Sequence, residues 1–157
     1  MVLKQSDHFY FRLFLPLTLI AGLLIPSMGL AAGAEPVALS DAARTGNWET
    51  VRSLIANGLK GDGVNAPDKD GTSPLHWAVR ADELEIADLL LKAGADATAQ
   101  NRLGLTALNL AATNGNGAMI RKLLDHGANA SEVEKTGETI LMVATRSGNV
   151  DAVRAIL

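Results

Sequence analysis

Along most of this chain, apolar residues recur at helical spacing in short blocks, and polar residues separate the blocks. Leu75, Ala78 and Val79 predict one short helix, and a wide apolar arc over residues 83–93 predicts a second, longer helix. Gly94 is suited to end that helix, and polar residues follow it. Because so wide an apolar arc cannot be covered from one side, we expect the second helix to be packed between neighbouring elements.

This two-helix block recurs along the chain at a spacing of 33 residues, starting at Gly71, Gly104 and Gly137. Leucine, alanine and glycine columns keep the same spacing: Leu75, Leu108 and Leu141; Ala78, Ala111 and Ala144; Gly94 and Gly127. Asp82 stands where other copies have a helix-ending glycine, so we expect a left-handed backbone there. A fixed period of this length is typical of a stacked repeat array.

The starts of the short helices carry a recognisable motif. It reads Ser-Pro-Leu-His-Trp-Ala at residues 73–78, Thr-Ala-Leu-Asn-Leu-Ala at 106–111 and Thr-Ile-Leu-Met-Val-Ala at 139–144. Ser73 and Pro74 also suit a helix N-cap and first turn. With the Gly-Ala-Asp ending at residues 94–96, this pattern resembles the ankyrin repeat.

The resemblance implies an all-α solenoid of stacked helix-turn-helix units with protruding turns, called fingers. It covers about four repeats within residues 35–157, and the last repeat is incomplete. The predicted units are an N-capping repeat at 36–70, repeats at 71–103 and 104–136, and a truncated repeat at 137–157. Three extra residues within 59–63 predict a longer first finger. The sequence stops inside the fourth copy's second helix, so we expect a fragment of a longer array.

Residues 1–34 have a different character. A polar, basic start precedes an uncharged apolar run at residues 13–25, and Ala32, Gly33 and Ala34 offer a small-residue cleavage site. This is the pattern of a secretory signal peptide, which predicts a periplasmic or secreted protein, in the style of a bacterial one. An uncleaved membrane anchor over residues 13–32 is the alternative, and a membrane is expected as a partner only in that case.

Composition narrows the function classes. The net charge of −3 gives no reason to expect binding to nucleic acid, and the absence of cysteine excludes disulfides and thiol chemistry.

His76 has no second ligand at metal-binding spacing, and the resemblance implies that it hydrogen-bonds within the turn that starts its helix. Ala66 and Trp77 occupy the first and last ligand positions of the calcium-loop pattern around residues 68–71, so we reject that pattern. Trp77 lies in a column of apolar residues that predicts core packing. We therefore expect no catalytic residues, no metal, no cofactor and no small-molecule substrate.

The resemblance also implies a concave binding surface made of finger tips and short helices. The residues expected there are Arg44, Lys69, Asp70, Thr72, Arg80, Arg102, Leu103, Leu105, Thr113, Asn114, Lys135, Glu138 and Arg146. Two columns of this surface are almost wholly basic, one along the fingers and one on the short helices. The acidic residues Glu49, Glu85 and Asp151 share a column on the long helices, so we expect a positive concave face that selects an acidic protein surface. Each basic residue could equally be an ordinary solvated side chain.

The predicted function is a non-enzymatic, exported scaffold that binds a protein partner. Two alternatives stay open: a regulatory segment of a larger protein with an enzymatic domain beyond Leu157, and a secreted effector that binds a host protein.

Overall fold

The first repeat begins with a short helix and a longer helix. The computed structural model of the protein describes residues 38–157, and the predicted leader and the alternative anchor lie outside that range. α1 spans Leu39–Arg44 and α2 spans Trp48–Ala56. Asn47 caps α2, because its side chain accepts a hydrogen bond from the Thr50 N–H at 3.1 Å.

The extra residues near position 60 form a short helix. α3 spans Asp62–Asn65 and follows Gly61, which has a positive φ of 60°. The Asn65 side chain donates to the Gly94 carbonyl at 3.0 Å and accepts from the Asp96 N–H at 2.8 Å. The three extra residues, which lie within residues 59–63, thus lead into α3 ahead of the first finger, and Asn65 joins the end of α3 to the end of the next repeat's second helix.

The second repeat contains α4, Pro74–Arg80, and α5, Leu84–Lys92. α5 agrees with the predicted helix over residues 83–93, since Glu83 and Ala93 are its capping residues. Asp82 has φ of 61°, so the predicted left-handed aspartate is confirmed. It is the one residue other than glycine with a positive φ in the described part of the chain.

The remaining repeats keep the same plan. α6 spans Ala107–Asn114, α7 spans Gly117–Asp125, α8 spans Ile140–Ser147 and α9 spans Val150–Ile156. Thr106 and Thr139 cap α6 and α8 and so supply the N-cap that Ser73 supplies in the second repeat. Over residues 38–157 the secondary structure is helical apart from isolated bridges at the fingers, which confirms the all-α solenoid.

The helices stack in two layers. The first-helix layer contains α1, α4, α6 and α8, each packed on the next, and the second-helix layer contains α2, α5, α7 and α9 in the same order. The core lies between the layers and is made of small and aliphatic side chains. Leu75, Leu90, Leu108 and Leu123 are each 1% exposed or less. Stacking therefore buries the apolar faces that a single repeat would leave in water.

Candidate functional site

The fingers are tight turns, and each is supported by a polar side chain at the same position of its repeat. In the first finger, residues 68–72, the Asp68 carboxylate accepts from the backbone N–H groups of Asp70 and Thr72, both at 2.9 Å. In the second finger, residues 101–105, the Asn101 side chain accepts from the N–H groups of Leu103 and Leu105 at 3.0 Å. Each side chain thereby holds its turn in a fixed shape.

The third finger, residues 134–138, has Glu134 in the same column. Its backbone bonds with Glu138 and Gly137 are each 2.8 Å. The longer Glu134 side chain accepts from the Thr136 hydroxyl at 3.3 Å and from the side-chain amide of Asn109 on α6 at 3.0 Å. The three fingers therefore share a backbone shape and differ in the polar group that supports it.

Neighbouring fingers contact one another. The Arg102 N–H donates to the Asp70 carbonyl at 3.3 Å, and the two side chains form an exposed ion pair of 3.9 Å. The Lys135 side chain lies against Gly104, where a Cβ atom would be only 2.6 Å from the lysine Cε. Because the tips touch in this way, they form a continuous strip of surface.

The strip adjoins the first-helix layer. The Trp77 indole N–H on α4 donates to the Asp68 carboxylate at 3.0 Å, and Arg146 on α8 pairs with Glu138 at 2.7 Å. A groove of about 690 Å³ lies between α1 and the first finger, and Arg44 and Lys69 are among its lining residues. We call the fingers and the outward side of the first-helix layer the finger surface.

The finger surface contains the predicted binding residues, but some of their polar groups are already used. The Asn114 amide donates to the Val79 carbonyl at 2.9 Å, so it links α6 to α4. The Thr113 hydroxyl donates to the Asn109 carbonyl at 2.9 Å. The Leu105 carbonyl is bonded to His76, whereas Leu103 is 71% exposed at the second finger tip. Leu103 is therefore available to a partner, and Asn114 has a structural role.

The expected separation of charge is wrong. Glu49, Glu85 and Asp151 are exposed on the second-helix layer as predicted, but carboxylates also stand among the basic residues of the finger surface. They are Asp41, Asp68, Asp70, Glu134 and Glu138. Asp68 and Asp70 flank Lys69, and Glu134 precedes Lys135, so these acids are neighbours of the bases in sequence as well as on the surface. The finger surface therefore has mixed charge.

The sequence predicted no role for Asp68. Its place in the same repeat column as Asn101 was the signal that could have indicated one. Its partial burial alone would raise its pKa. Hydrogen bonds from the Thr72 and Asp70 N–H groups and from the Trp77 indole outweigh that effect and hold the pKa below its ordinary value. Asp68 is thus a stable anion that joins the first finger to α4.

Trp77 is only partly a core residue. It packs against the buried cluster, as its column predicted, but it is half-buried rather than enclosed. The guanidinium carbon of Arg80 lies 5.6 Å from the centre of its ring system, within the range of a cation–π contact. Trp77 therefore belongs to the finger surface as well as to the core.

His76 is enclosed and has both ring nitrogens occupied. The Ser73 N–H donates to Nδ1 at 3.3 Å, which places the proton on Nε2, and Nε2 donates to the Leu105 carbonyl at 3.0 Å. Burial lowers the pKa of His76, although the hydrogen bond to Leu105 acts in the opposite direction. Within residues 38–157 there is no group of three or more side chains of the kinds that bind metal ions. His76 is thus a neutral structural link between repeats.

Over residues 38–157, the structure contains no helix whose length and hydrophobicity would let it span a lipid bilayer.

Comparison with known proteins gives a consistent result. A family model described as ankyrin repeats (3 copies) matches residues 20–101 and 93–157, so the match begins within the predicted leader. The Notch-regulated ankyrin repeat-containing protein of Homo sapiens is 38% identical over 77 residues, which are 48% of this chain and 68% of that protein.

Two longer relatives match a smaller part of their own length. The Ankyrin repeat and LEM domain-containing protein 1 homolog of Caenorhabditis elegans is 38% identical over 76 residues, 48% of this chain and 10% of that protein. Inversin of Gallus gallus is 39% identical over 82 residues, 52% of this chain and 7% of that protein. This chain thus spans a tenth or less of these two proteins. The family match, the relatives and the two-layer stack agree, and the chain belongs to the ankyrin-repeat family.

Proposed function

We propose that this chain is a non-enzymatic scaffold that binds a protein partner through the finger surface. The observation that carries the proposal is the continuity of that surface. Three fingers touch at their tips, and Trp77 and Arg146 join them to the first helices. Such an extended surface, repeated at a constant step, suits a protein rather than a small molecule.

The side chains on this surface also suit a protein interface. Exposed arginines and a half-buried tryptophan are of the residue types that dominate binding energy in protein complexes, and the exposed Leu103 adds apolar area that a partner can bury. The mixed charges would act mainly on specificity and association rate, and salt would screen them. The membership of an interaction-module family agrees with this role.

A matched pair of triple variants tests the proposal. One carries Arg80→Gln, Arg102→Gln and Arg146→Gln on the finger surface. The control carries Arg52→Gln, Arg121→Gln and Arg154→Gln on the second-helix layer, with the same change in net charge. Proteins captured by the wild type and cross-linked to it should be lost with the first variant and kept with the control. Equal capture by both variants would contradict the proposed surface.

We further propose that the protein is exported to a periplasmic or extracellular space after cleavage of residues 1–34. The basic start, the apolar run and the alanines at 32 and 34 support this. Expressed in a bacterium with its own leader, the mature protein should begin at Gly33 or Glu35. Mass spectrometry that finds an intact Met1 in the membrane fraction would instead favour the anchor over residues 13–32.

A further inference from the structure

A small cleft lies on the finger surface between the C-terminal ends of α1 and α4. Its volume is about 220 Å³, and its lining residues are Ala43, Arg44, Gly46, Trp48, Trp77, Arg80 and Ala81. Both tryptophans of the chain are among them. We call it the Trp–Arg cleft.

The two arginines of the cleft are available to a ligand. Arg80 is exposed, lies over the Trp77 ring and forms no ion pair within residues 38–157. Arg44 pairs with Asp41 at 3.3 Å, but their side chains are 50% and 58% exposed. An ion pair so exposed contributes little stability, so Arg44 can exchange it for another carboxylate at small cost.

The two indoles give the cleft firm apolar walls. The hydrogen bond from Trp77 to the Asp68 carboxylate fixes the ring, and Trp48 packs against the buried apolar cluster. Rings that are already immobilised lose little conformational entropy when a ligand arrives. Trp and Arg side chains in such positions are typical anchors of protein complexes.

Size and charge together define the ligand. At about 220 Å³ the cleft is smaller than the roughly 300–1,000 Å³ of small-molecule sites, so it suits one side chain. Two guanidinium groups at its rim favour an anion, and arginine matches the shape of a carboxylate.

We infer that the Trp–Arg cleft binds a glutamate or aspartate side chain of the partner protein. Its carboxylate would meet Arg44 and Arg80, and its methylene groups would lie against the indoles. This inference rests on the proposed function and adds to it the chemistry of the partner's anchoring residue. It also confines the preference for an acidic partner to one place on a surface of mixed charge.

Tryptophan fluorescence provides a local test because both tryptophans line the cleft. The full chain is titrated with a short glutamate-rich peptide and, separately, with its glutamine counterpart. We expect a saturable change in emission with the glutamate peptide that weakens as salt is added, and no matching change with the glutamine peptide. Equal responses to both peptides, or no saturable response up to about 1 mM glutamate peptide, would overturn the inference.

Four variants sharpen the result. Arg80→Gln should weaken binding of the glutamate peptide about tenfold, the size of one charge-assisted hydrogen bond. Ala81→Glu places a competing carboxylate at the cleft and should weaken binding more than Ala81→Gln does. Arg121→Gln on α7 removes an exposed arginine from the second-helix layer and should leave the titration unchanged. If Arg121→Gln weakens binding as much as Arg80→Gln, the response reflects overall charge and the inference fails.

The capture experiment separates this inference from the proposed function. If partners are captured through the finger surface while the glutamate peptide gives no response, the scaffold function stands and the carboxylate anchor is wrong. If the finger-surface triple variant captures the same partners as its control, the proposed function itself fails.

Discussion

Two links between repeats use the same sequence column in different ways. The first link joins the second repeat to the third, and the second link joins the third repeat to the fourth. In the first link His76 accepts from the Ser73 N–H and donates to the Leu105 carbonyl of the next finger. In the second link Asn109 accepts from the Thr106 N–H at 2.8 Å and donates to the Glu134 carboxylate at 3.0 Å.

The comparison shows what this position needs. It needs an acceptor towards its own helix cap and a donor towards the next finger, and both a neutral imidazole and a carboxamide supply that pair. The two side chains differ in one respect that matters: only histidine changes its charge near neutral pH. The two links should therefore be alike in their apolar packing and unlike in their response to acid.

The largest expected effect tests the shared apolar packing. Leu90 and Leu123 occupy the same column of the second-helix layer and are both fully buried. Leu90→Ala and Leu123→Ala should each lower the free energy of unfolding by about 2–5 kcal/mol, because each leaves a cavity. Urea denaturation measures both. A loss below about 1 kcal/mol for one of them would show that the two interfaces are not packed alike.

The next effect separates the two polar links. His76→Ala removes the acceptor of the Ser73 N–H, one of the two donors to the Leu105 carbonyl and a buried ring, so we expect a loss of about 2–3 kcal/mol. Asn109→Ala likewise leaves the buried Thr106 N–H without its acceptor, but it removes a smaller side chain and the half-buried Glu134 can turn to water, so we expect a smaller loss of about 1–2 kcal/mol. The same denaturation curves compare them, and a greater cost for Asn109→Ala would reverse our ranking.

The comparison also depends on pH, with a definite sign. Burial lowers the pKa of His76 from its ordinary 6.5, so the unfolded chain takes up a proton before the folded chain does. The free energy of unfolding should be constant above about pH 6.5. It should fall as the pH drops from about 6.5 towards the pKa of His76 in the folded chain, by at most about 1.4 kcal/mol per pH unit.

His76→Asn copies the second link and should remove this loss between about pH 7.5 and pH 5.5. Asp68, Asp88 and Asp96 have lowered pKa values, so the stability they contribute is present above 3.8 and is lost only in more acidic solution. An unchanged pH dependence in His76→Asn, followed by chemical denaturation, would assign the effect to another group.

The smallest effect concerns a charged link in the second-helix layer. The Asp88 carboxylate accepts from Lys122 of the next repeat and from Lys92 of its own helix, both at 2.6 Å, and these bonds lower its pKa. Lys122→Ala should cost at most about 1 kcal/mol, because the pair is partly solvated and Lys92 remains. Lys92→Ala is the matched control, because it removes the pair within one helix. A larger loss of stability for Lys92→Ala would show that this pair, and not the link between repeats, carries most of the stabilisation.

The sequence predicted the fold closely because the 33-residue columns and the capping residues act locally. α5 and the left-handed Asp82 are confirmed on those grounds. The placement of the extra residues near Gly61 was not predictable in the same way. It depends on the hydrogen bonds between Asn65 and the end of α5, and these bonds join two different repeats.

The candidate surface was predicted less completely. Column spacing locates Arg102 and Arg146 on one face, but it does not show which side chains the folded fingers bring towards them. The pairs Arg102–Asp70 and Arg146–Glu138 depend on how each finger folds back, and so does the contact of Trp77 with Asp68. A column of one residue type therefore predicts position better than it predicts net charge.

Hydrogen exchange of the complex with its captured partner tests the central claim most directly. Binding through the finger surface should slow exchange at residues 68–72, 101–105 and 134–138 and at the C-terminal ends of α1 and α4, and should leave α5 and α7 unchanged. Protection concentrated on α5 and α7, with the three fingers exchanging as in the free protein, would contradict it.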